Sequence, residues 1–248
     1  MVERDLTVLP VRNLVDDDGR FDCLDHRLVR PPFRMVINAP SESGKSVLVQ
    51  NTIFNDQFYC NDKGESVFDL IVFVSPTVYE DTTTKPMLTI ESDKLVVSDD
   101  VENLDKIIMD LIEMQTERRD EREHILLVLD DCIGNIPRGS KLNTFIMKAR
   151  QWRISIIICT QYYKGIDPKI RENTNAYIFF LNQSLSEVDK IRDEVGNKFK
   201  NFDKYYEYAT NEPYSFLFVN VKKGRLYKKF DELLVDKLEK FYKPMDGK

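Results

Sequence analysis

No stretch of the 248 residues approaches the roughly 20 consecutive apolar positions that a membrane span requires. The opening Met-Val-Glu-Arg-Asp lacks the apolar core of a secretory signal, so the expectation is a protein that works inside a cell. Cysteine is scarce. Cys23, Cys60, Cys132 and Cys159 lie far apart, and two of them fall in expected strands or at a strand end, where a reduced thiol packs as a small apolar group. That spacing supports neither a disulfide framework nor a metal cluster. Repeats and low-complexity tracts are absent. So is an excess of positive charge: the net charge of −6 argues against a protein that coats nucleic acid over its whole surface, but not against a local basic patch.

What the chain does have is a hydrophobic fraction of 42%, enough for one large α/β domain. Residues 1–30 are mostly polar and acidic and read as an arm or irregular packing segment, with the domain proper over 31–248. From Phe33 onward the pattern alternates between strands and helices. Strands are expected at 33–39, 68–75, 124–130, 153–160 and 175–182, and helices at 44–57, 99–117, 140–150 and 184–195. Ser98 is the expected N-cap of the helix at 99, and Val78 to Leu95 reads as a loop with one short strand. The runs Leu70–Val74, Ile125–Leu129 and Ile154–Ile158 are almost wholly apolar, as strands buried on both faces must be. The expected architecture is a mainly parallel sheet with helices on both faces. Ser215–Val221 and Leu226–Phe230 then form two antiparallel strands at one edge, and a helix over 231–242 closes the chain.

The strongest chemical signal is Ala39-Pro40-Ser41-Glu42-Ser43-Gly44-Lys45-Ser46, which follows an apolar strand and precedes the helical pattern beginning at Val47. Strand, phosphate-sized loop and helix start form the arrangement of a P-loop. Gly44 lets successive backbone N–H groups face one anion, Lys45 reaches the outer phosphates, and the Ser46 hydroxyl suits Mg2+. The pattern usually opens with Gly. Ala39 in that place requires an ordinary negative φ, which Pro40 stiffens, and Glu42 must point outward because a carboxylate inside the cradle would repel phosphate.

A second strand, His124–Leu129, ends in Asp130-Asp131, the pattern of a Walker B strand: the first carboxylate holds Mg2+ through water and the second polarises the attacking water. The strand Ile154–Thr160 ends in Gln161, which either bonds the γ-phosphate or lytic water or caps the loop to Tyr163. Arg150, Arg153 and Arg171 are candidates for the charge that stabilises a transferring phosphate, from within the subunit or from a neighbour. Lys198, Lys200 and Lys204 alternate with aromatic residues, and Lys222, Lys223, Arg225, Lys228 and Lys229 surround a Gly224 turn. Each cluster suits a nucleic-acid backbone, or else a helix with an aromatic core face and a solvated lysine face.

Taken in order, the P-loop, Leu-Leu-Val-Leu-Asp-Asp, Ala-Arg-Gln-Trp-Arg-Ile-Ser-Ile-Ile-Ile-Cys-Thr-Gln and Pro-Lys-Ile-Arg-Glu-Asn-Thr-Asn resemble the genome-packaging ATPases of large double-stranded DNA viruses and virophages, in the FtsK/HerA superfamily. The resemblance spans roughly residues 33–182. It implies an α/β P-loop NTPase fold of the ASCE/RecA-like kind, with ATP and Mg2+ as cofactors, and a ring-forming homo-oligomer acting on double-stranded DNA at a viral capsid or portal vertex. Its location would be the host cytoplasm or the virion. The resemblance also implies that Lys45 and Ser46 bind phosphate and Mg2+, that Asp130 and Asp131 form Walker B, that Gln161 is the sensor, and that Arg150 falls on the family arginine. Gln151 in place of His, and Asp131 where much of the superfamily has Glu, depart from the pattern. A small-molecule kinase and a nucleotide-binding assembly protein without turnover are the other readings of a P-loop.

Overall fold

The computed structural model describes residues 19–118, 121–136 and 140–235. Its centre is one nine-stranded sheet in the order β3-β2-β4-β5-β1-β6-β7-β8-β9. The strands are β1 (Arg34–Asn38), β2 (Leu70–Val74), β3 (Leu95–Ser98), β4 (Ile125–Asp130), β5 (Ile154–Thr160), β6 (Ala176–Phe180), β7 (Phe216–Asn220), β8 (Arg225–Lys228) and β9 (Glu232–Val235). The helices are α1 (Lys45–Phe54), α2 (Leu104–Arg118), α3 (Leu142–Lys148), α4 (Pro168–Glu172), α5 (Leu185–Glu194) and α6 (Phe202–Thr210). β3 through β6 pair in parallel, while β7, β8 and β9 add antiparallel strands.

Side-chain alternation along each strand splits the core into two layers. From β4, Ile125, Leu127 and Leu129 join one layer with Leu104, Ile108, Phe145 and Ile191 of the helices α2, α3 and α5. Leu126 and Val128 join the other, which holds α1. α1 buries Lys45, Leu48, Val49, Thr52 and Ile53, the spacing of a single helix face. Part of the expected arm also belongs to this second layer: Phe21, Leu28 and Val29 are buried there, and Tyr59 Oη donates to the Val29 carbonyl at 3.2 Å. The remainder of the arm, 1–18, lies outside the described residues.

Two expected boundaries are corrected. α2 begins at Leu104 rather than at 99, and Ser98 ends β3, its hydroxyl accepting from the Asp100 amide at 3.1 Å. A short polar side chain bonded to its own neighbouring backbone competes with helix start-up. The antiparallel edge has three strands, not two, and Glu232–Val235 is β9, where the closing helix was expected to start. The outer edge of β8 offers unpaired backbone groups, and pairing them outweighs the helical spacing of these residues. The remainder of that expected helix, 236–242, lies outside the described residues.

Candidate active site

The parallel order brings three strand ends together. β1 lies between β5 and β6, and β5 separates β1 from β4, so the loops that follow β1, β5 and β4 meet at one edge of the sheet. Ligand sites of open α/β sheets form at these carboxyl ends. The register fixes the loops relative to each other: Asn38 pairs with Thr160 and Asp130 with Cys159, the Ala39 amide donates to the Thr160 carbonyl at 3.0 Å, and the Asp131 amide donates to the Cys159 carbonyl at 3.0 Å.

The loop Ala39–Ser46 meets the backbone demands read from its sequence and adds one, a positive φ of 60° at Glu42. Ala39 is fully buried and lies outside the positive-φ set, whereas Gly44 has φ of 93°. Glu42 is exposed, as a carboxylate beside a phosphate cradle must be. Ser43 Oγ ties the loop by donating to the Pro40 carbonyl at 2.7 Å.

Lys45 is the charge centre. Its side chain is only 8% exposed, lies 3.1 Å from Asp130 Oδ1 and donates to Asp131 Oδ2. Burial alone would lower its pKa, yet the two carboxylates outweigh burial and hold it above the ordinary lysine value. Asp130 is pushed the other way from an ordinary ion-paired acid: burial, assisted by the Asp131 charge, raises its pKa despite Lys45. Asp131 is the more solvent-facing of the pair and sits at φ of 52°. Under the site the Cys159 thiol is fully buried and raised well above its usual value, so it stays neutral. Burial likewise pushes Cys132 up to about 12.

Gln161 stands between the two motifs. Its Oε1 accepts from Ser41 Oγ at 3.0 Å, and its Nε2 is 3.5 Å from Asp131 Oδ2, which makes the contact to the Walker B carboxylate the looser one. The carboxamide therefore faces the phosphate loop rather than capping the turn to Tyr163.

The arginines stand elsewhere. Arg171 is buried inside its own subunit, paired with Glu194 at 2.8 Å through Nε and at 3.0 Å through Nη2, while Nη1 reaches the carbonyls of Tyr163, Lys164 and Ile166. Its donors are spent on shaping the loop after Gln161, and none is directed at a phosphate. Arg150 precedes β5, whereas Gln161 follows it, which puts about 23 Å of strand between them. Neither reaches the P-loop of its own subunit. Arg153, at φ of 53°, is also on the far edge, where Nη1 donates to the Arg122 carbonyl at 2.9 Å.

Three residues that sequence reasoning passed over line the site. Asn38 Nδ2 donates to the Thr160 and Gln161 carbonyls at 3.3 and 3.2 Å and so fixes the end of β5 beside β1; a polar residue closing an apolar strand was the available signal. Asp81, in the loop after β2, accepts from Ser46 Oγ at 3.4 Å. Tyr214 covers the P-loop: a Cβ built on Gly44 would meet its Cδ1 at 3.1 Å. No sequence pattern marks Asp81 or Tyr214, because tertiary pairing alone brings them there. Beside Gly44 and Val47 opens a cavity of about 890 Å3, walled by Leu48, Phe58, Phe216 and Phe230 with Asn51 at its side.

The expected DNA hairpin divides in two. Lys222, Lys223 and Arg225 lie at the β7–β8 turn, whereas Lys228 pairs with Glu212 at 2.8 Å and lies 4.5 Å from the Tyr208 ring centre. Lys229 borders the large cavity. In the alternative stretch Phe199 and Phe202 are buried, the aromatic core face with lysines outside. No helix among the described residues is long and apolar enough to cross a membrane.

The fold has counterparts among known proteins. The structure is similar to the genome packaging NTPase B204 from Sulfolobus turreted icosahedral virus 2 in complex with ATP-gammaS, with TM-score 0.58 and 14% identity over 81% of this chain and 98% of that one. It is similar to B204, the DNA-packaging ATPase from Sulfolobus turreted icosahedral virus, with TM-score 0.60 and 16% identity over 81% and 98%. EssC (ATPases 2 and 3) from Geobacillus thermodenitrificans matches with TM-score 0.52 and 15% identity over 82% of this chain and 38% of that one. At these identities the likeness shows the fold, which is that of P-loop ATPases. No curated protein matches the sequence at a significant level. Residues 20–201, most of the chain, match the family described as Poxvirus A32 protein, and the chain belongs to that family.

Proposed function

We propose that the protein is an Mg2+-dependent ATPase that works as an oligomer, a ring in the simplest form, and drives double-stranded DNA into a viral capsid. The observation that carries the reading is the convergence of Lys45, Asp130, Asp131 and Gln161 at one sheet edge, beside a P-loop whose Gly44 has the left-handed backbone the cradle needs. Membership in the A32 family and the likeness to B204, which is described as a DNA-packaging ATPase, support the DNA-motor part. A viral motor of this kind would act in the infected cell's cytoplasm or on the virion.

The chain's residues divide the work by chemistry. The backbone N–H groups of Ser43 to Ser46, at the start of α1, attract phosphate, and Lys45 exchanges its carboxylate partners for phosphate oxygens of the nucleotide. Asp131, freed of Lys45, is the carboxylate placed to take a proton from water, and Gln161 orients that water from the Ser41 side. The donor set fits Mg2+: Asp130 Oδ1 is buried and faces only the Lys45 ammonium, 3.1 Å away and outside hydrogen-bond geometry, and the Ser46 hydroxyl lies at the head of α1. Ser46 and Asp130 would hold the ion, which neutralises phosphate charge when bound. The cavity beyond Val47 offers apolar walls to the base and ribose. The test is phosphate release from ATP with and without Mg2+. Transfer of phosphate to a small acceptor instead of water would favour a kinase, and tight binding without turnover an assembly protein.

A further inference from the structure

A serine or threonine on a helix has an acceptor within easy reach, the carbonyl one turn back. Thr52 of α1 uses it, its Oγ1 donating to the Leu48 carbonyl at 2.9 Å, and Ser43 in the cradle donates to the Pro40 carbonyl at 2.7 Å. Ser46 does otherwise. Its Oγ donates away from its own segment, to Asp81 Oδ2 at 3.4 Å, across 35 residues of sequence to the loop after β2. The bond is long for a hydroxyl donor, but its acceptor carries a full charge.

That carboxylate is held in place by its own loop. Asp81 Oδ1 accepts from the Thr83 amide at 2.8 Å, the Asp81 amide donates to the Thr77 carbonyl at 2.9 Å, and the Lys85 amide donates to the Asp81 carbonyl at 2.8 Å. Gln50, one helical turn beyond Ser46 on the same face of α1, donates through Nε2 to the Thr83 carbonyl and fastens the loop to the helix. The turn around Thr83 accounts for Oδ1 and leaves Oδ2 for Ser46. A hydroxyl has one proton and two acceptor lone pairs, and an ionised carboxylate only accepts. With its proton committed to Asp81, Ser46 Oγ keeps its lone pairs for an electrophile, and the adjoining negative charge makes that oxygen a better ligand for a hard cation.

We propose that Asp81 is a positioning residue for Mg2+ that acts through Ser46: it takes the hydroxyl proton and fixes the oxygen for coordination. The inference rests on the Mg2+-dependent ATPase reading and adds to it a residue from outside the P-loop and the Walker B strand.

The test is binding of Mn2+, a stand-in for Mg2+ that electron paramagnetic resonance reads directly, to the full chain loaded with a non-hydrolysable ATP analogue. The discriminating variant is Asp81→Asn. An asparagine that keeps the Thr83 amide on its oxygen turns its NH2 to Ser46 and donates where the carboxylate accepted, so the loop is preserved and the orientation of the hydroxyl is lost. The expected result is Mn2+ binding weaker by about 10- to 100-fold in Asp81→Asn, with analogue affinity in EDTA unchanged. Asp81→Ala, which drops the Thr83 bond as well, should lose at least as much Mn2+ affinity. Unchanged Mn2+ affinity in Asp81→Asn would overturn the proposal and leave Asp81 a loop cap. So would a loss of analogue affinity in EDTA as large as the loss of Mn2+ affinity, because a displaced loop lowers both. In a Ser46→Ala background, where the phosphates of the analogue still bind Mn2+, Asp81→Asn should cost nothing further, since its effect runs through the missing hydroxyl. A second loss of the same size would make the carboxylate itself a ligand and overturn the positioning role. If the unmodified protein binds Mn2+ more tightly than the analogue alone does and Asp81→Asn matches it, the role of Asp81 falls and the Mg2+ reading stands; if the unmodified protein adds nothing to the analogue's own Mn2+ affinity, both fall.

Discussion

Lys45 carries more of the fold than a loop lysine is expected to. A lysine on a surface loop is ordinarily solvated and cheap to truncate, but the Lys45 side chain is buried and its ammonium lies against Asp130 and Asp131. Lys45→Ala is therefore expected to abolish turnover and also to cost about 3 kcal/mol of stability, because it leaves buried carboxylates without a counter-charge. Adding Asp131→Asn to Lys45→Ala should recover part of that loss, measured by urea unfolding. Equal stability of Lys45→Ala and the unmodified protein would contradict the burial argument. Gly44 makes a second prediction. At φ of 93°, with Tyr214 Cδ1 3.1 Å from a built Cβ, Gly44→Ala is expected to weaken ATP analogue binding about tenfold, since a side chain in the left-handed region costs about 1–2 kcal/mol. Tyr214→Ala should relieve only the contact, so the double variant should stay weaker than Tyr214→Ala alone, as titration of a fluorescent analogue would show.

At the scale of elements, the loop between β5 and α4 is where a residue's role changes once its surroundings are known. Arg171 reads from sequence as a source of charge for a phosphate, yet it braces the backbone that follows Gln161 and clamps α4 to Glu194 of α5. Arg171→Lys, which keeps the charge but loses the planar fork, should lower turnover through misplacement of Gln161 and leave ATP analogue affinity near normal. A fall in affinity matching the fall in turnover would contradict this. The pair also predicts a pH dependence. Burial would raise the Glu194 pKa, but hydrogen bonds from Arg171, Lys190 and Tyr163 outweigh it and hold the acid below its usual value. Its stabilisation is complete above the unfolded value of about 4.3 and disappears as pH falls through the lower folded value. The stability gap between the unmodified protein and Glu194→Gln should therefore close as pH falls below the unfolded value of about 4.3, and a gap that stays constant on acidification would refute the linkage.

The elements with their own local signal were legible. The apolar runs of β2, β4 and β5 and the cradle sequence before α1 specify themselves, and they place Lys45 at the head of a helix and Asp130, Asp131 and Gln161 at strand ends before any topology is known. What was not legible depends on pairing across the sheet: β9 in place of a helix, Asp81 beside Ser46, and Tyr214 over Gly44. Propensity is local, whereas these facts follow from which strand lies beside which.

For the whole molecule, the sheet separates two chemistries by its own length. Lys45, Asp130, Asp131 and Gln161 gather at the carboxyl ends of β1, β4 and β5, and Arg34, Arg150 and Lys222 lie at the opposite end of the sheet. The central claim, that the convergence around Lys45 hydrolyses ATP to act on DNA, is tested most directly by phosphate release from the unmodified protein and Asp131→Asn, with Mg2+, at several protein concentrations and with and without duplex DNA. The account predicts turnover by the unmodified protein that rises with concentration and with DNA. It predicts that Asp131→Asn binds ATP normally and loses about 10² to 10⁴ in rate. Undiminished turnover in Asp131→Asn, or no hydrolysis by the unmodified protein under any of these conditions, would contradict it.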